Sequence, residues 1–113
     1  MRIERFGAPR EFLQRAHPFL LAREAEHNLI LGVCANLVAQ PQPLDTSDCY
    51  FTTVEVGGSV IGAAMVTPPH ALVLSRLDSS EAMELIAQDV LARYGRLPGV
   101  SAPKPLAQAF AER

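Results

Sequence analysis

The sequence predicts an α+β domain, a mostly antiparallel sheet with helices packed against it. Three observations predict it. Tyr50 to Val56 alternates and is rich in Thr, Val and aromatics, and Gly57-Gly58 separates it from a second apolar run, Val60 to Thr67; two such runs joined by two glycines mark a hairpin. Met83, Ile86, Ala87, Val90, Leu91 and Tyr94 recur at helical spacing. Leu29 to Ala39 is apolar on nearly every side, the pattern of a helix covered on more than one side.

Taken in order, Ile3 to Phe6 predicts a short strand with Ile3 and Arg5 on the opposite face from Glu4 and Phe6. Pro9 suits the first turn of a helix carrying Phe12, Leu13 and Ala16 on one side. Pro18 disfavours a helical His17, so that helix is expected to stop or bend there. A second helical stretch is mixed from Leu20 to Asn28 and apolar from Leu29 to Ala39. Ile30, Val33, Cys34, Leu37 and Val38 form one stripe, while Leu29, Leu31 and Ala35 fall largely on other sides. Pro41 to Asp48 is a loop.

After the hairpin, the run Val60 to Thr67 is apolar on both faces, which predicts a central strand. Pro68-Pro69 breaks it, and Ala71 to Ser75 adds a third strand to the meander. Asp78 is expected to cap the next helix, with Glu81 completing a capping box, and Gly95 to terminate it in the left-handed conformation. Val100 is the core of a very short strand, and Ser101 caps a last helix from Pro103 through Leu106 and Phe110.

The chain has 113 residues, 49% of them hydrophobic and 19% charged, which predicts one folded domain rather than disorder. Net charge is −2 and the pI is near 5.9. Lys and Arg form no basic stripe, so no nucleic-acid partner is indicated. No run has the length of a membrane span and the N-terminus lacks the apolar core of a signal peptide, so the expectation is a cytoplasmic protein without a membrane partner. Cys34 and Cys49 stand in no metal-ligating spacing, and two reduced thiols is the simplest reading. His27, His70 and Cys49 have no recognised zinc spacing either.

The element order, and three stretches within it, carry a resemblance. These are Glu24-Ala25-Glu26-His27-Asn28-Leu29-Ile30-Leu31-Gly32, Gly62-Ala63-Ala64-Met65-Val66-Thr67-Pro68-Pro69, and Leu97-Pro98-Gly99-Val100-Ser101-Ala102-Pro103 leading into Ala109-Phe110-Ala111. They resemble bacterial GNAT-type N-acetyltransferases in which a degenerate N-terminal half precedes a catalytic half. The resemblance implies a GNAT-like sheet, truncated before its last two strands, and acetyl-CoA as the cofactor of the parent family. Members that bind acetyl-CoA cradle its pyrophosphate in a Gln/Arg-x-x-Gly-x-Gly/Ala loop ahead of a helix N-terminus. Here that loop is Arg76-Leu77-Asp78-Ser79-Ser80-Glu81. Arg76 fits the first position, and Ser79 and Glu81 occupy the glycine positions, where close backbone approach is needed. Arg76, Ser79 and Ser80 are thus the cofactor-contact candidates of a degenerate loop, and the chain alone is not expected to bind acetyl-CoA tightly.

Glu24, Glu26, His27, Asn28 and Thr67 are the candidates for an acceptor groove. A carboxylate-assisted His27 base is chemically conceivable, but the simpler reading is a solvated helix entrance. His70, after two prolines, reads as a surface turn. Two functions follow: scaffold and acceptor groove for an acetyltransferase, or a non-catalytic binding or dimerisation module. The expected partner is a catalytic half or a second copy of this chain.

Overall fold

The computed structural model describes residues 1–39, 48–68, 71–96 and 99–101. Its elements are β1 (Arg2–Phe6), α1 (Pro9–Leu21), α2 (Glu24–Ala39), β2 (Tyr50–Val56), β3 (Ser59–Val66), β4 (Leu72–Leu74), α3 (Ser80–Tyr94) and β5 (Val100–Ser101). The five strands lie in the order β1-β2-β3-β4-β5. The first four are antiparallel, and β5 joins β4 in parallel. A parallel neighbour needs a crossover, and α3 is that crossover. The chain is therefore α+β, with β3 central as its two-sided apolar sequence predicts. The helix expected from Pro103, and most of the loop from Pro41, lie outside the described residues.

Alternation along β2 sorts side chains between two cores. Tyr50 and Val54 join Ala64, Val66, Leu72 and Leu74 under Ala82, Met83, Ile86, Ala87 and Val90 of α3. Phe51 points the other way, with Ala63, Met65 and Val73, against Phe12, Ala16 and Leu20 of α1 and Ile30 and Cys34 of α2. The molecule is thus three layers: α1 and α2, the sheet, and α3. Gly57 and Gly58 have φ of 58° and 84°, the paired positive values that a two-residue primed turn requires. Gly95, at φ 75°, closes α3, its N–H bonded to the Leu91 carbonyl at 2.8 Å.

Three expectations fail at tertiary contacts. First, of the stop or bend expected at His17, the stop does not occur: α1 runs through Pro18 to Leu21. Pro18 is exposed, so its ring costs one helical hydrogen bond on the solvent side. The continuous buried row of Phe12, Ala16 and Leu20 outweighs that loss. Second, the next helix starts at Glu24, not Leu20, leaving Ala22 and Arg23 as the turn. Third, Leu91 is 48% exposed; at 3.6 residues per turn it lies about 110° from the centre of the face formed by Ala82, Met83, Ile86, Ala87 and Val90. On α2, Leu29 and Ala35 are exposed, while Leu31 packs against the core. Among the described residues no helix is long and apolar enough to cross a membrane.

Candidate functional site

The loop from β4 to α3 is held from three sides. Ser75 extends the strand pairing past the end of β4: its N–H donates to the Ala63 carbonyl at 2.9 Å, and its Oγ accepts the Ala63 N–H at 2.8 Å. Leu77 fills the notch above Gly62, where a Cβ would lie 2.3 Å from Leu77 Cδ2. Arg76 donates its backbone N–H to His27 Nε2 at 3.0 Å.

That last bond defines the role of His27. With Nε2 accepting, the ring proton sits on Nδ1, which donates to the Leu20 carbonyl at 2.9 Å at the end of α1. Phe19 stacks on the ring, with centroids 5.5 Å apart. His27 is 1% exposed. It is therefore not the solvated residue of the simple sequence reading. It is a buried cross-brace joining α1, α2 and the β4–α3 loop, with no lone pair left for a substrate proton.

The side chain of Arg76 spreads between two carboxylates. Nη1 lies 3.2 Å from Glu26 Oε1, and Nε lies 3.2 Å from Asp78 Oδ1. Asp78 and then Glu26 hold the guanidinium pKa above its ordinary value. Because Asp78 turns back to Arg76, it does not cap α3. Ser79 does, at φ −132° and ψ 125°, its Oγ accepting from Ala82 N. The predicted Asp78–Glu81 box is thus displaced by one residue, and its third helical position holds alanine. Ser80 is the first helical residue and is exposed.

A small cleft of about 80 Å³ opens here, lined by Phe19, Ala22, Arg23, His27, Arg76 and Asp78. The fold thus gathers Glu26, His27 and Arg76, the first and last of them fifty residues apart in sequence, with Ser79 three residues beyond at the cap of α3. It does not gather the rest. Glu24 is exposed on the first turn of α2, and Asn28 on its outward face. Thr67 follows Val66, which pairs with Leu72 at the start of β4, whereas the cleft lies beyond the end of β4. His70 lies outside the described residues. Among the described residues no group of His, Cys, Asp and Glu could hold a metal ion.

Two polar networks had no signal in the sequence. Glu55 is 3% exposed, and Arg15 of α1 holds it through Nε at 3.1 Å and Nη2 at 2.7 Å. Thr53 donates to the same carboxylate at 2.7 Å. The bonds from Arg15, then Thr53, outweigh burial and hold the Glu55 carboxyl at about 2. On the opposite face Asp89 of α3 accepts from Arg5 and from Tyr50 Oη. Burial pushes the Asp89 carboxyl up, but the bonds from Arg5 and Tyr50 outweigh it and the pKa falls. The same burial and bond push the Tyr50 hydroxyl far above its ordinary range. The arginines that hold these two carboxylates, Arg15 and Arg5, lie forty and eighty-four residues away from them, so no local pattern announces either pair. Cys34 is the small hydrophobe its helix implied: fully buried, its thiol pushed up to about 12 by burial and directed at Met65 Sδ.

Comparison with protein-family models, with curated proteins and with solved structures returns no match.

Proposed function

We propose that this chain is a degenerate GNAT-type domain, supplying scaffold and part of the acceptor groove to an acetyl-CoA-dependent N-acetyltransferase without transferring acetyl groups itself. The family reading is supported by the sequence stretches that resemble such enzymes and by an antiparallel run of strands closed by one parallel step across α3. The observation that carries the non-catalytic part is the occupancy of the β4–α3 junction by the protein's own groups. An incoming pyrophosphate needs free backbone N–H donors and an uncommitted cation at the helix entrance. At this junction the Arg76 N–H is taken by His27, the Arg76 guanidinium by Glu26 and Asp78, and the Ala82 N–H by Ser79. Asp78 and Glu81 add negative charge where a dianion would sit. Titration calorimetry of the chain with acetyl-CoA tests the proposal. The expected result is no saturable heat below about 1 mM, equivalent to less than ~4 kcal/mol of binding. Micromolar binding that weakens in Arg76→Ala would overturn it.

A further inference from the structure

From His27 to Ala39, α2 contains no charged residue. Its inward side is occupied: His27, Ile30 and Cys34 are buried, and Leu31, Val33 and Leu37 pack against the same core. Its outward side is Asn28, Leu29, Gly32, Ala35, Asn36 and Ala39, all exposed, with Ala25 in line on the first turn. Leu29 is 46% exposed. A helix that faces solvent ordinarily carries charge there. Gly32 adds a second oddity. A glycine weakens a helix interior, yet Gly32 has an ordinary negative φ and a Cβ at its position would meet nothing within 4 Å. Among the described residues nothing requires it.

We propose that this face is a self-association surface, on which two copies of the chain pack their α2 helices antiparallel about a twofold axis through Gly32. Exposed positions pair symmetrically about that residue, with identical residues in two of the three pairs. Asn28 and Asn36 lie four positions to either side, Leu29 and Ala35 three, and Ala25 and Ala39 seven. A twofold antiparallel contact brings each residue to its mirror position on the partner. Gly32 then faces Gly32 and lets the backbones approach. The large Leu29 faces the small Ala35, so knobs meet gaps. Asn28 faces Asn36, and two carboxamides can donate and accept reciprocally.

Charge selects the antiparallel sense. A parallel pair would set the Glu24 and Glu26 turns of both copies side by side. The antiparallel pair separates them by the length of α2, 16 residues or roughly 24 Å. It also carries the half-exposed Arg23 toward the partner's C-terminal carbonyls, where a cation is favoured. Area limits the strength. A strip roughly 24 Å by 10 Å is well under the ~800 Å² per partner of a standard interface, so the dimer is weak and reversible. This inference rests on α2 alone and not on the acyltransferase reading.

Sedimentation velocity on the full chain from about 10 µM to 1 mM is expected to show a monomer–dimer shift. Gly32→Arg and Leu29→Glu should each abolish it without lowering the unfolding temperature, because both positions face open space and arginine is a better helix former than glycine. Cross-linking fixes the geometry. In a Cys49→Ser background, Gly32→Cys should form an intermolecular disulfide with itself. Asn28→Cys should cross-link to Asn36→Cys and not to itself. A monomer at every concentration, association that survives both α2 substitutions, or an Asn28→Cys homodisulfide would each overturn the proposal.

Discussion

Protonating Glu55 should remove a measurable part of the stability of this fold. The carboxylate is 3% exposed and takes three hydrogen bonds, two from Arg15 and one from Thr53. Its pKa falls from an ordinary 4.5 to about 2. A carboxyl whose folded pKa lies below its unfolded value binds protons more readily when unfolded. Its contribution is therefore complete above the unfolded value, and is lost as pH falls from about 5 to 2. The full drop converts to roughly 3 kcal/mol at ~1.4 kcal/mol per tenfold change. Arg15, however, is 40% exposed, and water screening reduces the figure to about 1–2 kcal/mol. Urea unfolding at pH 7 and at pH 3 checks it. With a slope of about 1 kcal/mol/M, Glu55→Gln should lower the pH 7 midpoint by roughly 1–2 M. At pH 3 the two proteins should differ by much less. Asp89, also held below its ordinary value, will leave both with some residual acid sensitivity. If Glu55→Gln keeps the full acid dependence of the parent, the reasoning about this carboxylate is wrong.

Two further predictions concern packing. His27→Ala should cost about 2–4 kcal/mol, because it opens a cavity and strands the Arg76 N–H and the Leu20 carbonyl; thermal unfolding would show it, and a change under ~1 kcal/mol would remove the cross-brace role. Ile86→Ala should cost about 2–5 kcal/mol while Leu91→Ala costs under ~0.5, since the first is fully buried and the second 48% exposed; equal losses would put the buried face of α3 elsewhere.

The candidate site was legible only in part. Arg76, Glu26 and His27 stand out in the sequence for separate reasons: the first opens a loop, and the others belong to a polar helix entrance. Nothing in their spacing announces that the His27 ring accepts the Arg76 N–H, because forty-nine residues separate the two. Glu24 and Thr67 looked equally eligible. They are set apart by the direction of a helix face and by the register of β3 against β4, and neither is encoded locally.

By itself the sequence determined the elements whose physics is short-ranged. Two consecutive glycines supply the positive φ that a primed hairpin turn needs, two-residue alternation divides β2 between two cores, and a glycine past Tyr94 stops α3. Each of these depends on backbone sterics or on periodicity within a few residues, so reading along the chain suffices. Tertiary structure decided whatever required weighing one local preference against a distant partner. Pro18 stays inside α1 because Phe12, Ala16 and Leu20 must remain on one helix. Ser79 caps α3 because Arg76, itself held by Glu26, draws Asp78 away. Glu55 is buried because Arg15 reaches it from forty residues away. In each case a local preference gives way to a contact that exists only once the chain has folded.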